Sequence, residues 1–349
     1  LTPSNRPDLY KEAGVDVAKG DELVEWLQNS DSDAKSTRFG AKVSGIGGFA
    51  ALFRPNFSGL KDPLLISSTD GVGTKVLLGI ETGILSGLGL DLVGMCVNDL
   101  YTLGGRPLFF LDYFATGRLD EHQFKQVLTG IKQGCTQSGA LLLGGETAEM
   151  PGLYGKGHFD LAGFVVGVVD GEAMLGPKRV KVGDVLYALP SSGFHSNGYS
   201  LVRKWVDQTK GALNAEVYER LMTPTRIYHE IPELLEAVGP HVFHALANIT
   251  GGGISGNLPR VMPSDVICQI DSSCLPIPRW MAEFIEAQGT TVLEQEAVFN
   301  LGCGMIAAVD HASTQVFEAA AHTLGLKVLP IGHVSKGSGE PRVVFDSKP

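Results

Sequence analysis

Three segments in the first half of the chain set acids among glycines: Ser68-Thr69-Asp70-Gly71-Val72-Gly73-Thr74-Lys75, Asn98-Asp99-Leu100-Tyr101-Thr102-Leu103-Gly104-Gly105-Arg106-Pro107, and Gly144-Gly145-Glu146-Thr147-Ala148-Glu149-Met150-Pro151-Gly152. Carboxylates bind hard divalent cations, and glycine lets backbone N–H groups approach phosphate oxygens. Each acid falls at or near the end of an apolar run. Singly, Asp70-Gly71 also reads as a turn, Asp99 to Pro107 as a helix end, and the Glu146 segment as a surface loop. Their recurrence favours a polyphosphate held by divalent metal. Asp70 would then carry the metal while Thr74 and Lys75 meet a phosphate.

No G-x-x-x-x-G-K-[ST] loop is present. Gly45-Ile46-Gly47-Gly48-Phe49-Ala50 fits G-x-G-x-x-A, but a polar segment precedes it and Pro55 follows. A dinucleotide fold needs a strand before that motif and a helix after it, so that fold is excluded and a phosphate-covering loop remains. Ser191-Ser192-Gly193-Phe194-His195-Ser196-Asn197-Gly198 lies between a strand and a helix. It reads as a polar-ligand clamp, or as a helix cap with Ser196 or Asn197 at Ncap. A serine hydrolase is discounted, because no G-x-S-x-G elbow is present. Thr250-Gly251-Gly252-Gly253 makes an anion nest or a hinge, and ordering three glycines favours close backbone approach to something. The glycines of Phe299 to Met305 read as close packing or a bulge.

Hydrophobic spacing supplies the elements that would position these groups. Lys11 to Leu27 carries a moderate helix signal broken by Gly14 and Gly20, and Asn29 to Lys42 is polar and expected to be mobile. Strands are expected over Pro63–Thr69, Leu108–Thr116, Ala140–Leu143 and Leu161–Val169. Leu88, Leu92, Cys96, Leu100 and Leu103 mark a helix ending near Asp99, and Phe124 to Cys135 a second helix stopped near Gly139. The pattern changes at Val169–Lys178, which places a domain boundary there. Beyond it, strands are expected over Asp184–Leu189, Val266–Ile270, Phe299–Val309 and Lys327–Ile331. Helices are expected over Ser196–Val206, from Pro224 until Pro232 interrupts, and over His311–Leu324. The fold class is α/β (α+β): two mixed α/β domains, residues 1–170 and 171–349.

Composition bounds the rest. The 349 residues are 44% hydrophobic and 19% charged, a globular balance. The net charge of -10 argues against nucleic-acid binding through the whole surface. Cys96, Cys135, Cys268, Cys274 and Cys303 are odd in number and lack zinc spacing, so reduced thiols are expected. No signal-peptide pattern or membrane-length apolar run is visible, so a cytoplasmic location and no membrane partner are expected.

The same segments, in order, closely resemble the phosphoribosylformylglycinamidine cyclo-ligase family. The matching stretches include Tyr10 to Asp16, Gly45 to Phe49, Thr69 to Lys75, Asp91 to Leu100, Pro107 to Tyr113, Gly144 to Gly152, His195 to Arg203, Thr223 to Tyr228, Thr250 to Gly253 and Phe299-Asn300. The resemblance covers nearly the whole chain. Departures fall at Gly105, Phe39-Gly40, Phe194 and Ser44, and none removes a metal-type carboxylate. The resemblance implies an ATP- and Mg2+-dependent closure of formylglycinamidine ribonucleotide to aminoimidazole ribonucleotide. It implies that Asp70, Asp99 and Glu146 hold magnesium. Lys75 would offset phosphate charge, and Lys35 and the Gly45, Gly47, Gly48 loop would close over the nucleotide. Gly71, Thr74, Gly104, Pro107, Gly144, Gly145 and Thr147 would line the nucleotide. His195, Ser196, Asn197, Gly251, Gly252 and Gly253 would line the substrate side, with His195 assisting proton transfer. A homodimer with N-terminal strands meeting in a barrel is also implied. Thiamine-monophosphate kinase, selenophosphate synthetase and a non-catalytic phosphate-ester sensor are the alternatives. The second is set aside because the first 95 residues hold no cysteine.

Overall fold

The computed structural model describes residues 9–29, 35–45, 47–209, 211 and 213–346. Ile46 and residues 30–34, which the loop and the polar segment above include, lie outside them. The chain opens with α1 (Leu9–Glu12) and α2 (Val17–Asn29), then a small antiparallel sheet of β1 (Ser36–Thr37), β2 (Gly40–Lys42) and β3 (Phe53–Pro55). β4 (Pro63–Gly71), α3 (Lys75–Thr82), α4 (Ser86–Thr102), β5 (Arg106–Thr116), α5 (Glu121–Ser138), β6 (Leu141–Glu149) and β7 (Phe159–Asp170) follow. The four strands order as β4-β7-β5-β6. Only β5 and β6 are parallel, and α5 makes the crossover that a tight turn cannot.

Alternation along these strands sorts two faces. Phe110, Phe114, Leu161 and Val165 are buried toward the helices. Leu65, Phe164 and Tyr113, which register and alternation place on the opposite face, are exposed at 66%, 41% and 37%. α4 is buried nearly all round because it is wedged between this sheet and the second half. Its contact with α5 is backbone-close. A Cβ on Gly89 would stand 2.1 Å from the Val127 carbonyl oxygen, so no larger residue fits there.

The second half comprises β8 (Val185–Pro190), α6 (Tyr199–Gln208), α7 (Ala215–Leu221), α8 (Ile231–Val238), β9 (Phe243–Asn248), α9 (Gly253–Asn257), β10 (Val266–Asp271), α10 (Arg279–Glu286), β11 (Cys303–Val309), α11 (Thr314–Thr323), β12 (Leu329–Lys336) and β13 (Arg342–Asp346). Its sheet runs β13-β10-β12-β8-β11-β9. Four thiols are buried, and Cys274 is exposed.

Several expected elements differ. Gly144 to Glu149 is not a loop, because β6 runs through both glycines. Pro232 does not interrupt a helix; it sits in the first turn of α8, where its missing N–H costs nothing. Residues 223–228 are irregular, held by Asn98, whose side chain donates to the Arg226 carbonyl and accepts from the Tyr228 N–H. α6 starts at Tyr199, and Gly198 at φ 76 is its Ncap, so neither Ser196 nor Asn197 caps it. β11 starts only at Cys303, after Leu301 and Gly302 turn through positive φ. Residues 35–42 form a hairpin anchored by buried Phe39 on Leu108 and Val168. β9, β13 and α10 carried no sequence expectation.

Candidate active site at the seam of the two halves

Asp70 lies near the end of edge strand β4, and Asp99 near the end of α4 on the helix-covered face. Asp70 accepts from the Gly71 N–H at 2.7 Å. Asp99 accepts from the Ser68 hydroxyl at 3.3 Å and, across the seam, from the Asn248 amide at 2.9 Å. Burial pushes the Asp70 carboxyl upward; the Gly71 N–H opposes this, and the Asp99 charge adds to it. Two carboxylates sharing a half-buried site suit a hard cation, which removes both penalties. The Ser68 hydroxyl and the Asn248 amide complete an oxygen-rich donor set that fits Mg2+. Asn248 escaped the sequence analysis because its role depends on β9 crossing to α4.

The seam is fastened by a buried polar cluster. Lys75, fully buried, donates from Nζ to Asp91 at 2.9 Å, the His195 carbonyl at 2.9 Å and the Thr223 carbonyl at 2.8 Å. All three of its protons are used. Asp91 also accepts from the Thr225 N–H and hydroxyl, each at 2.7 Å, and the Thr225 and Ser196 hydroxyls bond at 3.2 Å. Lys75 therefore joins the halves and has no proton left for a phosphate, which corrects its expected role.

His195 is buried at φ 58 with its Nε2 accepting from the Ser192 N–H. Burial, with the Lys75 and Arg226 charges, pushes its imidazole down to about 3, so it is neutral near pH 7. Neutral, with Nε2 accepting from Ser192, the ring keeps its one proton on Nδ1 and is not a cationic acid near pH 7. Asn197 Oδ1 accepts from the Gly251 N–H at 3.0 Å, while its Nδ2 has no partner among the described residues. Asn257 donates to the carbonyls of Thr250, Gly251 and Gly253, which fixes the glycine turn. At Gly253, φ 59, a Cβ would lie 1.5 Å from the Glu296 carbonyl oxygen. The turn is thus held by side chains rather than left as an open nest.

Family models described as the AIR synthase related protein N-terminal and C-terminal domains match residues 50–169 and 181–344. A phosphoribosylformylglycinamidine cyclo-ligase of Sorangium cellulosum (strain So ce56) is 44% identical over 96% of this chain and 99% of its own. The chain belongs to the phosphoribosylformylglycinamidine cyclo-ligase family. The family fold also occurs in thiamine-monophosphate kinase from Stenotrophomonas maltophilia K279a, with 20% identity, TM-score 0.65 and coverage of 94% of this chain and 95% of that one. A hydrogenase maturation protein HypE in complex with ATP superposes with TM-score 0.63 at 20% identity, covering 85% of this chain and 84% of that one.

Within this family member the seam gathers Asp70, Gly71, Thr74, Asp99, His195, Ser196, Asn197 and Gly251 to Gly253. Thr74 reaches the second half through the Ser200 hydroxyl at 3.2 Å. The other expected residues lie elsewhere. Asp70, Gly163, Asp112 and Gly145 form one row across the sheet. Glu146 is one residue past that row, on the far edge strand and the opposite face, ~14 Å away at three strand spacings. Glu146 therefore cannot share an ion with Asp70 and Asp99 of the same chain. Gly144 and Thr147 are on the same edge strand. Gly145 leaves room for a carboxylate, since a Cβ there would meet Asp112 Oδ1 at 2.2 Å. Gly104 closes α4 at φ 77 against Leu235, and Pro107 starts β5 at the end remote from Asp70, so neither faces a nucleotide at the seam. Lys35 lies in the hairpin docked at that remote end, and Gly47 packs on Gln28 of α2. Gly45 and Gly48 flank it.

The described His/Asp cluster Asp184–His244–Asp310 is not part of the seam. Its groups are tied to Lys181, His241 and Ser313. No helix among the described residues is long and apolar enough to cross a membrane.

Proposed function

We propose that this chain closes formylglycinamidine ribonucleotide to aminoimidazole ribonucleotide, consuming ATP and yielding ADP and phosphate, in the cytoplasm. The observation that carries this is the near-full-length match to a cyclo-ligase, with Asp70 and Asp99 paired at the seam. A formamide oxygen is a poor leaving group. Transfer of the γ-phosphoryl to it breaks the bond to ADP and makes phosphate the leaving group. The amidine nitrogen bearing the ribose then forms the new C–N bond, the C–O bond breaks, and the nitrogen proton passes to solvent. Positioning and charge neutralisation are the protein's main tasks.

Asp70 and Asp99 would hold Mg2+, which would neutralise phosphate charge when bound. Gly71 and Thr74 border the phosphates. His195 positions as an acceptor, while Ser196, Asn197 and the Gly251 to Gly253 turn line the substrate side; the unpartnered Asn197 Nδ2 supports a polar ligand there. Lys35, Gly45, Gly47, Gly48, Gly144, Glu146 and Thr147 would contribute to such a site from a second copy. The exposed apolar sheet face supports a homodimer joined through it, with the strands in a barrel. The test is product formation from formylglycinamidine ribonucleotide, ATP and magnesium, with thiamine monophosphate as control. Equal ADP and imidazole product are expected. ADP formed only with thiamine monophosphate would overturn the reading in favour of the kinase.

A further inference from the structure

With its three protons engaged, Lys75 offers none to a phosphate at the seam. A cleft of about 280 Å3 opens beside Asp99, between β4, α4 and the β9–α9 connection. Ser67, Ser68, Thr102, Asn248 and Asn257 line it, and Arg260 is the only cation among its lining residues. The environment of Arg260 differs from that of six of the twelve arginines. Arg38, Arg106, Arg203, Arg220, Arg226 and Arg279 are each paired with a glutamate. Arg260 has no carboxylate partner among the described residues. Instead its Nη1 donates to Asn257 Oδ1 at 3.2 Å. Asn257 is 4% exposed and is itself fixed by three backbone carbonyls and the Thr250 hydroxyl. The guanidinium is therefore held from one side, with the rest of its donor fork unused by any acid. A planar fork on a rigid platform, facing hydroxyl and amide groups, matches a phosphate dianion.

We propose that Arg260, oriented by Asn257, is the phosphoryl-binding residue of this cleft. The inference rests on the cyclo-ligase reading for the origin of its ligand: the ribosyl phosphate of the substrate or the γ-phosphate of ATP. Asn257 acts through Arg260 and is a positioning residue, and Arg260 is a binding one.

The test compares wild type with Arg260→Met and Arg260→Lys. Titration calorimetry uses two probes, ribose 5-phosphate and a non-hydrolysable ATP analogue with Mg2+. Circular dichroism confirms folding, which the partly exposed Arg260 should not disturb. Arg260→Met is expected to weaken one probe by roughly tenfold or more, the scale of a lost charge-assisted contact, with partial recovery in Arg260→Lys. Loss for ribose 5-phosphate assigns the substrate's phosphate, with KM for substrate rising and KM for ATP steady. Loss for the analogue assigns the nucleotide, with the reverse pattern. Folded Arg260→Met binding both probes within twofold of wild type overturns the proposal. A wild type that forms no imidazole product, yet loses probe affinity in Arg260→Met, keeps the phosphoryl subsite and removes the cyclo-ligase reading. Normal wild-type turnover with no affinity change does the reverse.

Discussion

Asp112 offers a sharp test of the packing beneath the N-terminal sheet. Asp112 is 8% exposed, and no other residue among the described ones donates to its carboxyl. Burial lifts it from the ordinary 3.8 to about 7, against only its own backbone amide. The sign of the linkage follows from proton counts. Between pH ~4 and ~7 the folded chain holds a proton that the unfolded chain has released, so stability falls as pH rises through that window and the loss is complete above the folded value. A rise of about three pH units at ~1.4 kcal/mol each comes to ~4 kcal/mol, of which ~3 kcal/mol develops between pH 5 and 8. Asp112→Asn keeps the shape and removes the ionisation. Its stability relative to wild type should therefore grow by ~3 kcal/mol from pH 5 to 8, because global charge effects cancel in the difference. Denaturant unfolding at fixed protein concentration, repeated in half-unit pH steps, measures this. Two parallel stability profiles would refute the reasoning, since they would mean that the folded carboxyl is ionised throughout.

Three further outcomes follow from the seam and the open sheet face. Lys75→Met leaves Asp91 buried without its cation and should cost ~3–5 kcal/mol of stability while leaving KM for ATP within about threefold; a tenfold rise in KM with unchanged stability would return Lys75 to the phosphate. Asp70→Asn should abolish detectable Mg2+-dependent binding of the ATP analogue in calorimetry yet leave thermal stability equal or higher, because it relieves a half-buried carboxylate beside Asp99; retained binding would sink the metal assignment. Phe164→Glu should convert a dimer to monomers in sedimentation analysis, and a variant of wild-type mass would show that this sheet face is not the contact.

Much of the site was legible as separate strings. Asp70 and Asp99 stood out because acids recur beside glycines at or near the ends of apolar runs, although each singly also reads as a turn or a helix end. Ser196, Asn197 and the Gly251 to Gly253 turn stood out as polar or glycine breaks between elements. Lys75 misled, since Gly-x-Gly-Thr-Lys has a phosphate-loop look whether its lysine faces solvent or a buried aspartate. Asp91 sits in a helix of apolar residues 16 positions later, and its partnership with Lys75 crosses to carbonyls more than a hundred residues away. Arg260 and Asn248 carried no local mark at all. Glu146 carried the same mark, but strand order, not residue type, puts it across the sheet from Asp70.

The sequence by itself determined the periodicities, the helix and strand stretches they imply, and the chemistry available. Those features are local: apolar spacing, glycine and proline preferences, and side-chain charge act within a few residues. Only the tertiary structure decided which charges meet. The order β4-β7-β5-β6 separates Asp70 from Glu146, and the packing of α4 against both halves brings Asp99 to Asn248. Burial, too, belongs to the whole fold. It turned Lys75 into a buried tie between the halves and left His195 neutral, because removing water from a charged group is a consequence of everything packed around it.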